Sequence, residues 1–211
     1  MKKKLLVASL ALLGGLGVCS NAFAILAGSA HDFHLETWGD PQICLPCHAP
    51  HNNRNAATEL LWNHDTTAVA AFTLYSNAAS FDAVPGQPTP TSKFCLSCHD
   101  GTVALDAYGS HGAGLPANKL TGTAMLGTDL SNDHPISFLY DAALVTADTA
   151  RAGGIAGLKA PAVVTAAGLP LFAGLMECAT CHDVHNKHGN TAGLLNIANT
   201  GSALCLACHI K

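Results

Sequence analysis

Cys178-Ala179-Thr180-Cys181-His182 and Cys205-Leu206-Ala207-Cys208-His209 stand near the end of a 211-residue chain. The same five-residue pattern occurs twice before them, at Cys44-Leu45-Pro46-Cys47-His48 and Cys95-Leu96-Ser97-Cys98-His99. C-x-x-C-H is the attachment signature of c-type haem. Two cysteines one helical turn apart can reach both vinyl groups of one porphyrin as thioethers, and the histidine that follows stands under the iron as its proximal ligand. A redox C-x-x-C or a four-cysteine zinc site needs no histidine after the second cysteine. With twelve histidines in the chain, finding one after all four motifs by chance is about a one-in-10⁵ event. The pattern therefore predicts four haem c groups. The thioether positions are Cys44, Cys47, Cys95, Cys98, Cys178, Cys181, Cys205 and Cys208, and the proximal ligands are His48, His99, His182 and His209.

Composition agrees from the other direction. Aromatic residues make up 6% of the chain and charged residues 11%, against about 25% charged in an average soluble protein. The 49% hydrophobic content is largely alanine, and disorder would call for more charge and less apolar content. Four porphyrins would supply the missing interior. The ninth cysteine, Cys19, falls in a segment that reads as a secretory signal: Lys2, Lys3 and Lys4, an apolar stretch from Leu5 to Val18, then Ala22-Phe23-Ala24 as the cleavage pattern. The apolar stretch is too short to span a bilayer comfortably, and Val18 disfavours lipid attachment at Cys19.

Residues 1–24 are thus expected to be cleaved, leaving 25–211 as one exported tetrahaem domain with no membrane span. Without the three leading lysines, seven basic residues face fourteen acidic ones, and no basic footprint for nucleic acid exists. Export suits c-type haem attachment, which in bacteria takes place outside the cytoplasm. The expected location is the cell surface or exterior, with the periplasm as the alternative.

Eight histidines remain: His31, His34, His51, His64, His111, His134, His185 and His188. After the signal only Met125 and Met176 could serve as thioether ligands, so the surplus of histidine points to bis-histidine irons, closed and of low potential. His51 and His185 each lie three residues past a proximal histidine. The chain cannot round the macrocycle edge in two residues, so each is expected to reach a neighbouring haem. His134, made extended by Pro135, and His31, on an arm that would fray without an anchor, complete the expected distal set. His34 and His64 are the alternates, while His111 and His188 read as surface residues.

The motifs group as 44–99 and 178–209, each pair opening with C-x-x-C-H-x-x-H, which suggests an internal duplication. The haem-free segment 100–177 is rich in Gly, Ala, Thr and Pro. Within it, Pro161 and Pro170 flank Val163-Val164-Thr165 and Ala167-Gly168, predicting a small β-hairpin between Leu158 and Ala173. The expected fold is mostly loop, with short helical turns at the motifs and a core of four haems. A redox enzyme would need an open iron. Four standard motifs and excess histidine argue for electron transfer without substrate chemistry.

The sequence resembles the exported tetrahaem c-type cytochromes of the OmcE type, which form extracellular cytochrome filaments or nanowires. The resemblance rests on Gly28-Ser29-Ala30-His31-Asp32-Phe33, Cys44-x-x-Cys47-His48-Ala49-Pro50-His51-Asn52 and Leu61-Trp62-Asn63. It continues through Cys95-Leu96-Ser97-Cys98-His99-Asp100-Gly101-Thr102-Val103, Asp133-His134-Pro135-Ile136-Ser137-Phe138, Cys178-Ala179-Thr180-Cys181-His182-Asp183-Val184-His185-Asn186 and Leu204-Cys205-Leu206-Ala207-Cys208-His209. It implies closely stacked haems in parallel and perpendicular pairs, little regular secondary structure and self-association into a filament. It further implies electron exchange with other redox proteins or terminal acceptors, and a histidine of one subunit completing a haem of the next. The N-terminal arm is the expected donor, and a monomeric periplasmic shuttle is the alternative.

Overall fold

The computed structural model describes residues 26–54, 60–77, 79–151, 153, 157–190 and 192–210. The expected signal segment with Cys19 lies outside them. In chain order the elements are β1 (Thr73–Leu74), α1 (Pro90–His99), β2 (Asp129–Leu130), β3 (Phe138–Leu139), α2 (Ala142–Arg151), α3 (Pro161–Ala166), β4 (Leu175–Met176), α4 (Cys178–Cys181) and α5 (Ala203–Cys208). Most of the described chain is loop, as expected. Among the described residues no helix is long and apolar enough to cross a membrane.

Three of the four motifs end a helix, and proline or a capping pair starts two of these. Pro90 opens α1, where its missing N–H costs nothing and its fixed φ suits the first turn. Glu177 caps α4 in a reciprocal capping box with Thr180. The first motif forms no helix but keeps one α-turn, with the His48 N–H donating to the Cys44 carbonyl at 2.8 Å. The same bond recurs from His182 to Cys178 at 3.0 Å and from His209 to Cys205 at 2.9 Å. This single turn puts both cysteines of a motif on one side.

The segment 100–177 departs from expectation. Leu158–Ala173 is not a β-hairpin, because Val163-Val164-Thr165 lie in the helix α3. Pro161 acts as a helix opener rather than a strand boundary, and Val164 turns fully inward. A tight hairpin does form just beyond, where Phe172 and Leu175 exchange backbone hydrogen bonds of 3.0 and 2.9 Å. Ala173 and Gly174, at φ 51° and 82°, supply the two left-handed residues that such a two-residue turn requires.

This segment also builds the larger apolar core. Phe138, Tyr140, Leu144, Val164, Leu169 and Met176 all come from it, and Ala207 of the last motif joins them. Its register is Phe138 opposite Met176 and Leu139 opposite Leu175, antiparallel. A smaller cluster of Phe72, Leu96 and Leu130 lies beneath the second motif, where β1 and β2 pair in parallel. Among the described residues, 100–177 therefore carry two α-helices and three strands of their own, packed through contacts distant in sequence.

Candidate haem-attachment site

Burial raises the thiols of Cys47, Cys98, Cys181 and Cys208, whereas the hydrogen bond with Cys95 lowers that of Cys178. Burial, then Cys44, pushes the Cys47 thiol up to about 11. Burial followed by Cys47 and Asp100 pushes Cys98 up to about 12. Cys208 is likewise raised to about 11 by burial and then Cys181.

These mutual influences trace the motifs through space. Cys47 acts on Cys98, Cys95 and Cys178 are hydrogen-bonded to each other, and Cys205 acts on Cys181. Motifs adjacent in the sequence are thus neighbours in space. Cys44 and Cys205, the first and last attachment cysteines but one in the sequence order of the motifs, are exposed, and the other six are partly buried.

Three of the four proximal imidazoles are aimed by their far nitrogen. Nδ1–H of His48 donates to the Leu60 carbonyl, that of His99 to Ala124 and that of His182 to Gly193, each at 2.7 Å. Such a bond fixes the tautomer and leaves Nε2 as the lone-pair donor for a metal. The carbonyls are supplied by a repeated local design. Cys47–Ala49 pairs with Leu61–Asn63 through bonds of 3.1 and 2.9 Å, and Cys181–Asp183 pairs with Leu194–Asn196 through bonds of 2.6 and 2.8 Å. Leu61 and Leu194 share the same left-handed turn, at φ 52° and 50°, as do Asn52 and Asn186, at 53° and 49°. The duplication is therefore structural in the described residues 47–52 and 61–63, matched by 181–186 and 194–196.

Sequence reasoning missed the asparagines that close these two units. Asn63 Nδ2 donates to the Leu45 carbonyl at 2.8 Å, and Asn196 Nδ2 donates to the Ala179 and Thr180 carbonyls at 3.0 Å each. Their signal was a Leu-x-Asn following each proximal histidine at nearly the same distance. Replacing Asn196 by alanine strips carbonyls of the third motif of a buried donor and is expected to cost about 1–3 kcal/mol. Asn63→Ala should cost less, since a single carbonyl is affected. Denaturant midpoints of the haem-loaded proteins check both.

Two further histidines lie against proximal ones. The His185 ring stacks on His48 with centroids 6.2 Å apart and planes 17° apart. The His31 ring faces His99 at 5.9 Å and 48°. A metal-bound imidazole nitrogen lies about 2.0 Å from its ion, so two imidazoles on opposite faces of one ion have centroids about 6 Å apart. His31 Nδ1 is buried with no hydrogen-bond partner. Burial, then the neighbouring His99 and His182, lowers its pKa to about 4, so this imidazole is neutral at pH 7 and its lone pair is available.

Comparison with known families finds one match: the model described as a doubled CXXCH motif fits residues 170–211, which hold the third and fourth attachment sites. It indicates a multihaem c-type cytochrome. No curated protein matches the chain. The motifs indicate covalently bound haem c with its iron, and the residues fit that cofactor. Oriented Nε2 atoms, imidazole pairs at the spacing of one shared metal ion, and an orphaned buried nitrogen on His31 are the features a porphyrin between these rings would satisfy.

The other histidines of the chain are disposed differently. His51 is exposed, and so is His134, whose Nδ1 lies 3.0 Å from the Pro135 carbonyl. His34 is bound through Nδ1 to the Asp32 carboxylate. His64 is buried, with Nδ1 2.7 Å from the Asp65 carbonyl and Nε2 3.0 Å from that of Ala104, and Nε2 also lies 3.8 Å from the Cys98 sulfur. His111 stacks on Tyr108 at 4.5 Å, and His188 is exposed. Met176 is enclosed in the larger apolar core. Among the described residues no three His, Cys, Asp or Glu side chains converge on a bare metal ion.

Proposed function

We propose that this chain is a tetrahaem electron carrier, exported and assembled as the subunit of an extracellular conducting filament. The observation that carries the electron-transfer reading is the near-6 Å facing of His185 on His48 and of His31 on His99. Bound haem supplies a one-electron iron couple, and two imidazoles per iron leave no position for a substrate. The eight cysteines hold the porphyrins covalently. His48 with His185 closes the first iron, and His99 with His31 closes the second. His51 and His134 are the distal ligands proposed for the irons of His182 and His209.

Because the sites succeed one another and the terminal cysteines Cys44 and Cys205 are exposed, electrons can enter at one end of the row and leave at the other. That supports exchange with redox partners or with a further copy of the chain. With His31 turned onto its own subunit's His99, the exposed His34 is the arm's histidine proposed to reach a neighbour.

Intact-protein mass after expression with a haem-attachment system tests the count, and a gain of four haems is expected. Three or fewer would reject the tetrahaem reading. Electron microscopy of sheared cell-surface material tests assembly. Ordered filaments containing this chain are expected, whereas a soluble periplasmic monomer would favour a shuttle.

A further inference from the structure

The chain has three glutamates, Glu36, Glu59 and Glu177, and Glu177 is 1% exposed. Its carboxylate accepts from the Thr89 hydroxyl at 2.8 Å, from the Ser137 hydroxyl at 2.9 Å, from the Ser92 hydroxyl, and from the Thr180 backbone N–H of the capping box. The direction of two of these bonds is fixed from behind. Ser92 Oγ accepts the Cys178 N–H at 3.1 Å and Ser137 Oγ accepts the Thr89 N–H at 3.2 Å, which turns both hydroxyl protons toward Glu177. Four donors fill the acceptor sites of an ionised carboxylate and leave none for a proton. Among the described residues no lysine, arginine or histidine pairs with it.

A buried charge without a counter-ion is costly unless its surroundings are built for it. Here the surroundings are the starts of two helices: Thr89 is the N-cap of α1 and Glu177 the N-cap of α4, and the positive ends of both dipoles favour an anion. These helices carry the second and third attachment motifs. Glu177 directly precedes Cys178, and its Ser92 partner also binds the Cys178 backbone. The negative charge is therefore fixed between the two inner haem positions, shielded from water.

We propose that ionised Glu177 is a potential-setting residue that holds the inner haems, those of Cys95/Cys98 and Cys178/Cys181, at lower potential than they would otherwise have. The inference rests on the haem reading above. Oxidation adds one positive charge at the iron, and a nearby buried negative charge favours that state, since net charge and burial are among the levers a protein has on a haem potential. A helix staple alone would not require a charge there.

The test is a spectroelectrochemical titration of the wild type, Glu177→Gln and Glu177→Asp, each with its haem count taken by mass and its spin state by absorption. Glu177→Gln keeps the shape and removes the charge. At least one component of its titration should move up by 59 mV, a tenfold fall in the oxidised-to-reduced ratio at a fixed applied potential for one electron, while Glu177→Asp stays near the wild type. Unchanged potentials in a fully loaded, low-spin Glu177→Gln protein would overturn the proposal and leave Glu177 as a staple. A wild type without haem would instead reject the haem reading, and this inference with it.

Should Glu177→Gln fail to mature, infrared difference spectra of the wild type grown on carboxyl-labelled glutamate decide the matter. A label-shifted carboxylate band in the reduced-minus-oxidised spectrum is expected, and its absence overturns the proposal.

Discussion

His185→Ala is expected to convert one haem in four from low-spin to high-spin and to let carbon monoxide bind that iron in the reduced protein. The expectation follows from the near-parallel facing of His185 and His48 at 6.2 Å and 17°, which under the proposed pairing makes His185 the sixth ligand of the first haem although it lies beside the third motif in sequence. His31→Ala should do the same at the second motif, through His99. His188→Ala, three residues from His185 and exposed, should leave every iron closed. An absorption spectrum of His185→Ala that stays fully low-spin, with no carbon monoxide adduct, would reject the pairing.

The second large effect concerns the scaffold. Phe138→Ala is expected to lower stability by about 3–5 kcal/mol while the haem count stays unchanged. Phe138 is buried at the centre of the larger apolar cluster, edge-on to Phe81 at 4.9 Å, and opposite Met176 in the sheet. Its removal opens a cavity that two-residue strands and short helices are poorly able to close. A denaturant midpoint unchanged from wild type would mean that ligation and thioethers, rather than this cluster, hold residues 100–177.

These two predictions divide the chain into what its sequence made legible and what it did not. The C-x-x-C-H motifs were legible because haem attachment demands fixed residue types at fixed spacing, and the expectation that His185 reaches beyond its own motif followed from the impossibility of rounding a porphyrin in two residues. Which ring it faces could not be read, because that depends on how residues 44–63 and 178–196 come together. The duplication was visible in the motifs, yet Asn63 and Asn196 were passed over because the Leu-x-Asn that carries them is short and stands at slightly different distances from His48 and His182.

The helix at Pro161–Ala166 was misread for a related reason. Proline followed by valines and threonine suits either a strand boundary or a helix start, and the burial of Val164 against Leu169 and Ala207 decides between them. Likewise the strand pairs are only two residues long. No propensity window can detect them, and the partners lie about 55 and 35 residues apart.

The facing of His185 on His48 also has a consequence in time. Chains are made from the N-terminus, so the first C-x-x-C-H motif is available well before residue 185 exists. Under the proposed pairing, an iron attached at Cys44 and Cys47 has only His48 from the protein until the third motif has emerged. A chain halted before Cys178 would carry a reactive, half-ligated iron at its first site, and completion of the C-terminal half is what makes the N-terminal half chemically safe.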